Sequence, residues 1–365
     1  MSQNAVRDGS DVWEFFHGKS LYSFFPYGRY IKKLYGSSAG FMPLFLFYIF
    51  PGLYFAYGFD VNLTFLMRTF YLFMAVPIPG ACRILTHACY SIFVKKIRSM
   101  KGRRMKRSLF YASTMLMWGL PAERWFRTAA EEELGGLEIW IQQMDYQGIT
   151  PEKIKNLSRY YGVSVTAHSY SWDVNLISMC REMRTSAILL TRKALREASF
   201  FHAGCITIHP GKKGLPIPGV NYDRILAESV SSVTGYGAEQ GIAVSFEIME
   251  KIHGELLISA DEVQRMEPYG DLSGARYTLD TAHCENENEI LSTAQRLRGK
   301  IAEFHVSNKK GIKRHIQDIA GGDLNLGDTA PQLSGYGVPF VLEGYDPSLE
   351  AKALHCALSY FDDSQ

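Results

Sequence analysis

The chain has 365 residues, 47% of them hydrophobic and 21% charged, a composition that supports a large folded core and excludes a disordered polymer. Its formal net charge of +2 conceals an asymmetry, because residues 1–106 carry 14 Lys/Arg against 4 Asp/Glu while residues 107–365 carry 25 against 33. Duplex DNA binding rests on Lys and Arg neutralising phosphates, so the acidic larger part makes duplex DNA an unfavourable partner.

In chain order, the first feature is an uncharged run from Ser37 to Phe59, followed by a second apolar stretch from Thr64 to Cys82 that contains Arg68. About 20 apolar residues are needed to cross a bilayer, but Pro43, Pro51, Pro77 and Pro79 interrupt these two segments. They suit a membrane hairpin or an interfacial anchor better than two full spans. Arg29, Lys32 and Lys33 precede the pair and the run KKIRSMKGRRMKR (95–107) follows it, as expected of flanks facing anionic cytoplasmic lipid. Residues 28–107 are therefore the expected membrane-facing surface. The competing reading is a helical extension packed on the outside of the folded domain. Cys82, Cys89, Cys180, Cys205, Cys284 and Cys356 lack CxxC or zinc spacing, and no basic start leads directly into an apolar stretch. Reduced thiols in a cytoplasmic protein, associated with the inner face of the membrane if the hairpin reading holds, are expected.

From about Ser108, apolar runs of five to seven residues alternate with helix-like stretches, the pattern of repeated βα units. The expected strands are SLFYAST (108–114), GLEIWI (136–141), VSVTAH (163–168), CITIHP (205–210), IAVSFEI (242–248), ARYTLD (275–280), IAEFHV (301–306) and PFVLEG (339–344). Amphipathic segments at 121–134, 151–161, 185–201, 222–240 and 287–299 are the expected intervening helices. Eight such units predict an α/β fold, an eight-stranded parallel (β/α)8 TIM barrel over 107–365 behind a hydrophobic, helical N-terminal extension. His168, His209, Glu247, Asp280, His283, His305, His315 and Glu343 then fall at or beyond strand C-terminal ends, where this architecture gathers its chemistry. Any one of these histidines alone reads more naturally as a core or capping residue; together they imply a metal site. Trp118, Trp140, Tyr170 and Trp172 fall near the same mouth, where they could stack on a ring or simply pack.

The motifs VTAHSYSWDVNL (164–176), TIHPG (207–211), FEI (246–248), LDTAH (279–283), FHVSN (304–308), KRH (313–315) and VLEG (341–344) resemble those of the xylose isomerase-like barrel superfamily, especially endonuclease IV and the sugar phosphate isomerase/epimerase-like proteins. The resemblance covers about 107–362. It implies a four-ligand cation site on Glu247, Asp280, His305 and Glu343, whose donor set suits Mn²⁺, Mg²⁺, Co²⁺ or Zn²⁺. It further implies a second ion on His168 and His209 bridged by Glu247, giving one or two ions per chain. A third ion in the endonuclease branch would use His283, His315 and an aspartate two residues before His315, but Lys313 stands there. An ammonium opposes a cation at that point and attracts an anionic substrate group. With Lys309, Lys310, Arg314, Lys212 and Lys213 close by in sequence, it predicts a basic rim, although solvated lysine runs are common.

Three functions compete. In the resembling epimerases the two ligand glutamates exchange a proton with the substrate carbon while the metal stabilises an enediolate oxygen. Glu247 and Glu343 would take those catalytic roles here, with His283, His315, Lys313, Arg314 and Lys309 binding a small phosphorylated or otherwise anionic sugar. The second reading is hydrolysis of a phosphodiester or nucleotide-like substrate, favoured by His168 and His209. The third is a non-catalytic, membrane-anchored metal-binding protein. Replacement of the third-site aspartate by Lys313 tilts the expectation to the isomerase/epimerase.

Overall fold

Short runs rich in Val, Ile, Phe and Ala become strands because alternate residues can face an interior and an outer helical layer at once. A computed structural model describes residues 105–363. The apolar stretches at 37–59 and 64–82, with the hairpin expected of them, lie outside the described residues. Among the described residues, no helix is long and apolar enough to cross a membrane.

The barrel strands are β1 (Phe110–Ser113), β2 (Gly136–Trp140), β3 (Ser164–His168), β4 (Cys205–Ile208), β5 (Ala243–Ile248), β6 (Ala275–Asp280) and β7 (Ile301–Val306); the hairpin strands β8 (Asn308–Lys310) and β9 (Lys313–Ile316) follow, and β10 (Phe340–Leu342) completes the barrel. The closed order is β1-β10-β7-β6-β5-β4-β3-β2. The pairs are parallel, including the closing pair, in which Phe110 lies opposite Phe340. This is the expected TIM barrel.

Local chemistry sets the helix ends. Thr150 accepts a hydrogen bond from the Lys153 amide at the start of the helix Pro151–Tyr161, Pro occupies its first turn, and Gly162 ends it in the left-handed region at φ 67°, the usual asymmetry of helix caps. Asn221, Asn286 and Asn325 cap the helices Tyr222–Glu239, Glu287–Arg296 and Leu326–Leu333 in the same way. Three expected helix boundaries move by three residues or more, and one of them is the end of the 287–299 segment, which falls at Arg296. The 121–134 segment is helical only over Ala122–Glu131, where Glu133 turns to φ 54°; the 185–201 segment starts earlier, at Arg181. The β8–β9 hairpin was not expected, because NKKGIKRHI shows no apolar alternation to announce it.

The outward faces of the strands make the core with the surrounding helices: Phe110, Ile206, Phe246, Tyr277, Phe304 and Phe340 are buried, as are Trp125 and Phe126 of the first helix. The inward faces are different. Ser113, Glu138, Thr166, Thr207, Ser245, Thr278 and Glu303 are all buried; Ser113 ends β1, and the other six lie two residues before Trp140, His168, His209, Glu247, Asp280 and His305. The Thr207 hydroxyl donates to Glu303 Oε1 at 2.5 Å and meets Thr278 Oγ1 at 2.7 Å, and Thr278 meets Ser245 at 2.6 Å. Branched apolar residues usually fill this layer; a hydrogen-bonded layer of hydroxyls and carboxylates supports the site from below instead.

Candidate metal centre

Strand periodicity aims the site residues. In β7, Ile301, Glu303 and His305 share the inward face; in β5, Ser245 and Glu247 do; in β6, Thr278 and Asp280 do. The parallel register then sets Asp280 beside His305, and Glu343 follows directly on β10. Six of the eight candidate ligands are buried, namely His168, Glu247, Asp280, His283, His305 and, in its side chain, Glu343. His209 and His315 sit at the mouth, with side chains 28% and 35% exposed.

Donor atoms of Glu247, Asp280 and His305 lie within 4.8 Å of one another. Glu343 joins them through its Oε1, which lies 3.2 Å from His305 Nδ1, while Glu247 Oε1 lies 3.9 Å from the same nitrogen. Glu247 Oε2, Asp280 Oδ2 and His305 Nδ1 are buried without a hydrogen-bond partner. Such orphans are costly; a dication in the core group would satisfy Asp280 Oδ2 and His305 Nδ1, whereas Glu247 Oε2 faces His209 and His168. The residues therefore fit the four-ligand cation site.

Glu247 also looks the other way. Its Oε2 lies 2.9 Å from His209 Nε2 and 3.6 Å from His168 Nε2. The His168 Nδ1–H donates to the Ser169 carbonyl at 2.9 Å, which leaves Nε2 with a free lone pair, the arrangement of a ligating imidazole. His168, His209 and Glu247 thus form a second donor set joined to the first by one carboxylate.

Asp280, His283 and His315 form a third. The His283 Nδ1–H donates to the Ile248 carbonyl at 3.0 Å, while its Nε2 faces Glu250 Oε2 at 3.4 Å and Asp280 Oδ2 at 3.9 Å. His315 Nδ1 is hydrogen-bonded to Ser307 Oγ at 2.9 Å and lies 3.7 Å from both Asp280 and Glu343. Its backbone is in the left-handed region at φ 49°, a conformation in which the hairpin turns the imidazole onto the cluster. Lys313 is exposed two residues before it, and this set shares Asp280 with the core group.

Charge within the cluster is strongly redistributed. Burial raises the Glu247 carboxyl, yet His209, His168 and His305 together hold it well below the usual carboxylate range. The same contest leaves Glu343 at about 2, with His305 and His315 overcoming burial. For Asp280 burial prevails over His283 and His315, with Glu343 and Glu247 adding to it, and the pKa rises to about 6. Burial lowers the His283 imidazole, but Asp280, Glu247 and Glu250 lift it to about 9. Burial, helped by the neighbouring His168 and His283 imidazoles, keeps His209 below its ordinary value against the pull of Glu247.

Two contributors were missed in the sequence. Glu138 is fully buried on β2 and accepts from His305 Nε2 at 3.0 Å, so Nδ1 of that ring is the nitrogen turned to the cation site. Glu303 lies beneath, 3.7 Å from His305 Nε2. The signal was present: each occupies an inward position by the period of two, Glu138 two residues before Trp140 and Glu303 two before His305. The basic rim is also redistributed. Lys309 is buried and its ammonium donates to the carbonyls of Cys284 and Glu285, while Lys212 pairs with Glu255 at 2.8 Å. Arg314 donates to the Gly311 carbonyl at 2.9 Å. Lys310 and Lys313, opposite each other in the hairpin, make no ion pair among the described residues. Tyr170 is held by Asp145 at 2.5 Å and Lys193 at 2.7 Å, whereas Trp118, Trp140 and Trp172 lie together at the mouth.

No curated protein matches the chain. Among solved structures it is similar to a D-tagatose 3-epimerase-like protein, at 19% identity and TM-score 0.56 over 69% of this chain and 97% of that one. It is similar also to the 3-keto-D-glucoside 4-epimerase of E. coli, at 16% identity and TM-score 0.54 over 69% and 98%. A third is the probable 3-DHS dehydratase of Bacillus anthracis, at 15% identity and TM-score 0.56 over 70% and 99%. At these identities the likeness establishes the fold. A family model described as xylose isomerase-like TIM barrel matches residues 126–358, close to two thirds of the chain, and the chain belongs to that family.

Proposed function

We propose that the chain is a divalent-metal-dependent isomerase or epimerase acting on an anionic or phosphorylated sugar. The observation that carries this is the placement of Glu247 and Glu343 on one imidazole nitrogen, His305 Nδ1, with both carboxyls held ionised by surrounding histidines. A dication on Glu247, Asp280, His305 and Glu343 would supply Lewis-acid polarisation of neighbouring substrate oxygens. The side chains supply the rest. Two ionised carboxylates in one buried site can remove a proton from a carbon beside a carbonyl and return it to the same or a neighbouring carbon. His283 and His315 line the same cluster and can hydrogen-bond substrate hydroxyls, while Lys313 on the exposed hairpin is the cation available to an anionic group. The names of two similar structures, a D-tagatose 3-epimerase-like protein and a 3-keto-D-glucoside 4-epimerase, support the same class of reaction.

The test is proton exchange. Metal-loaded protein incubated in D₂O with a panel of keto sugars and sugar phosphates should introduce deuterium beside the carbonyl, and Glu247→Gln should abolish it. Absence of exchange with every sugar and every metal contradicts the proposal.

Hydrolysis of a phosphodiester or nucleotide-like compound is the second reading, and the single observation favouring it is the His168–His209 pair on the far oxygen of Glu247. Two tightly held ions per chain with phosphodiester cleavage would support it. One tight ion supports isomerisation.

A further inference from the structure

The inward faces of the strands continue below the hydroxyl layer to the N-terminal end of the barrel, the end that this architecture leaves free of catalysis. Two residues before Thr166, Thr207 and Ser245 come Ser164, Cys205 and Ala243, each the first residue of its strand, and side chains this small leave the axis unfilled. The space is a cavity of about 670 Å³, which they line together with Tyr111, Thr166 and Arg276. That volume lies in the range that holds small-molecule ligands, and none of the metal-ligand candidates lines it. Lys155 and Arg159 of the helix Pro151–Tyr161 join Arg276 on its wall, which contains no Asp or Glu, although acids outnumber bases in this part of the chain. Lys155 Nζ lies 4.5 Å from the centroid of the Phe200 ring and Arg276 Nη1 donates to the Gly299 carbonyl at 2.5 Å; among the described residues none of the three cations pairs with a carboxylate. A cation in the last turn is ordinary at a helix C-terminus, whose dipole attracts it, and this accounts for Arg159. It does not account for Lys155 in mid-helix or Arg276 within β6. At the inner end of the cavity the Thr166 hydroxyl is buried without a hydrogen-bond partner, a state that costs free energy until a ligand or solvent atom meets it.

We infer that this cavity is a second ligand site, which takes a small phosphate ester with its anionic group at the rim and its hydroxyl-bearing end against Thr166. Arg159 and Arg276 are exposed and Lys155 is half-buried, so the three cations stand toward the open end. A phosphate concentrates its charge in one group whose several oxygens accept from many donors at once, and guanidinium forks match it. Two separated carboxylates match three cations around one opening less well. The inner end suits an uncharged group, because Glu303 lies one layer above, accepting from Thr207 at 2.5 Å, and repels an anion placed deep. A lone phosphate ion is far smaller than the cavity, whereas an ester carrying a polar body spans from the rim to the hydroxyls of Ser164 and Thr166. The hydroxyl and carboxylate layer separates this site from the metal centre, so its occupancy needs no metal.

The experiment is calorimetric titration of the full, metal-loaded chain with glycerol 2-phosphate, inorganic phosphate, malate and glycerol, repeated after chelation and on Arg159→Ala, Arg276→Ala, Thr166→Val and Lys313→Ala. The site predicts saturable binding of glycerol 2-phosphate, weaker binding of inorganic phosphate and of malate, and none of glycerol. Arg159→Ala and Arg276→Ala, both at exposed positions, should each weaken the ester about tenfold. Thr166→Val, which deletes only the orphan hydroxyl, should bring the ester down to the affinity of inorganic phosphate. Chelation removes any phosphate held at the metal centre, and one equivalent of the ester should remain bound after it and in Lys313→Ala. No saturable binding, malate bound as tightly as the ester, or an affinity unaltered in both arginine variants overturns the inference. So does binding that disappears on chelation or in Lys313→Ala, which would assign the phosphate to the mouth. Because binding is read without turnover and without metal, a protein that shows no proton exchange would refute the reaction and leave this site standing.

Discussion

Glu138→Gln changes one buried atom and bears directly on how the metal centre is built. Glu138 Oε1 accepts from His305 Nε2 at 3.0 Å and Oε2 accepts from Trp140 Nε1 at 3.2 Å, and the residue has no exposed surface. Both neighbours are donors, so a carboxamide can satisfy only one of them, and its NH₂ must face the other. The negative charge behind the imidazole, which helps raise the His305 pKa well above its ordinary value against burial, is removed as well. Loss of a carboxylate that orients a ligating histidine typically weakens metal binding 10–100-fold, or about 1.4–2.7 kcal/mol. The assay is titration of Mn²⁺ or Zn²⁺ into chelator-stripped protein, with circular dichroism to confirm the fold. A folded Glu138→Gln protein with unchanged affinity would refute the reasoning, because it would show that His305 needs no partner at Nε2.

Other outcomes follow from the same geometry. Gly211, in the turn after His209, has φ 92°, and a Cβ there would meet Asn175 Oδ1 at 2.4 Å and the Leu176 amide at 2.9 Å; Gly211→Ala should destabilise the fold by about 1–3 kcal/mol in denaturant melts and weaken any second metal equivalent. Phe246→Ala, which empties a fully buried position behind Glu247, should cost about 3–5 kcal/mol by the same assay. Asp346 accepts from the amides of Ser348 at 2.8 Å and Ala353 at 3.1 Å; burial raises its pKa but these donors pull it below the ordinary value. A depressed carboxyl pKa means its contribution is complete above the unfolded value near 4 and is lost as pH falls through the folded one. Asp346→Ala should therefore cost about 1–2 kcal/mol at neutral pH, and the gap to the native protein should narrow below about pH 4. Lys313→Ala should raise the KM for an anionic substrate while metal content stays unchanged, and an unaltered KM would remove Lys313 from substrate binding.

The barrel was legible in the sequence because its outward strand faces repeat every second residue and its helices begin at Thr, Asn and Pro. Seven of the eight ligand candidates were legible for the same reason, as each closes or shortly follows a short apolar run, whereas His315 lies in the hairpin sequence KRHI and was singled out by the family resemblance. Glu138 and Glu303 escaped notice because a carboxylate inside a strand reads as a solvent-facing position until the barrel's closure makes that face an interior. The rim lysines were harder still. Charge alone cannot tell Lys309, which donates to two carbonyls, from Lys313, which stays exposed; the distinction arises from how the β8–β9 hairpin folds back, and its sequence carries no periodic signal. The three sets of ligand donors, and the sharing of Glu247 between two of them, were implied by the family resemblance, but the sharing of Asp280 between the core set and the His283–His315 pair emerges only from the distances.

The central claim is that Glu247 and Glu343 move a proton on a sugar carbon next to a dication. The measurement that bears on it most directly is mass-spectrometric detection of deuterium transfer from D₂O into keto sugars and keto glucosides by the metal-loaded chain. The account predicts one deuteron incorporated beside the carbonyl, lost on chelation and lost in both Glu247→Gln and Glu343→Gln. Tight metal binding with no exchange in any substrate, or exchange that persists in both variants, would contradict it.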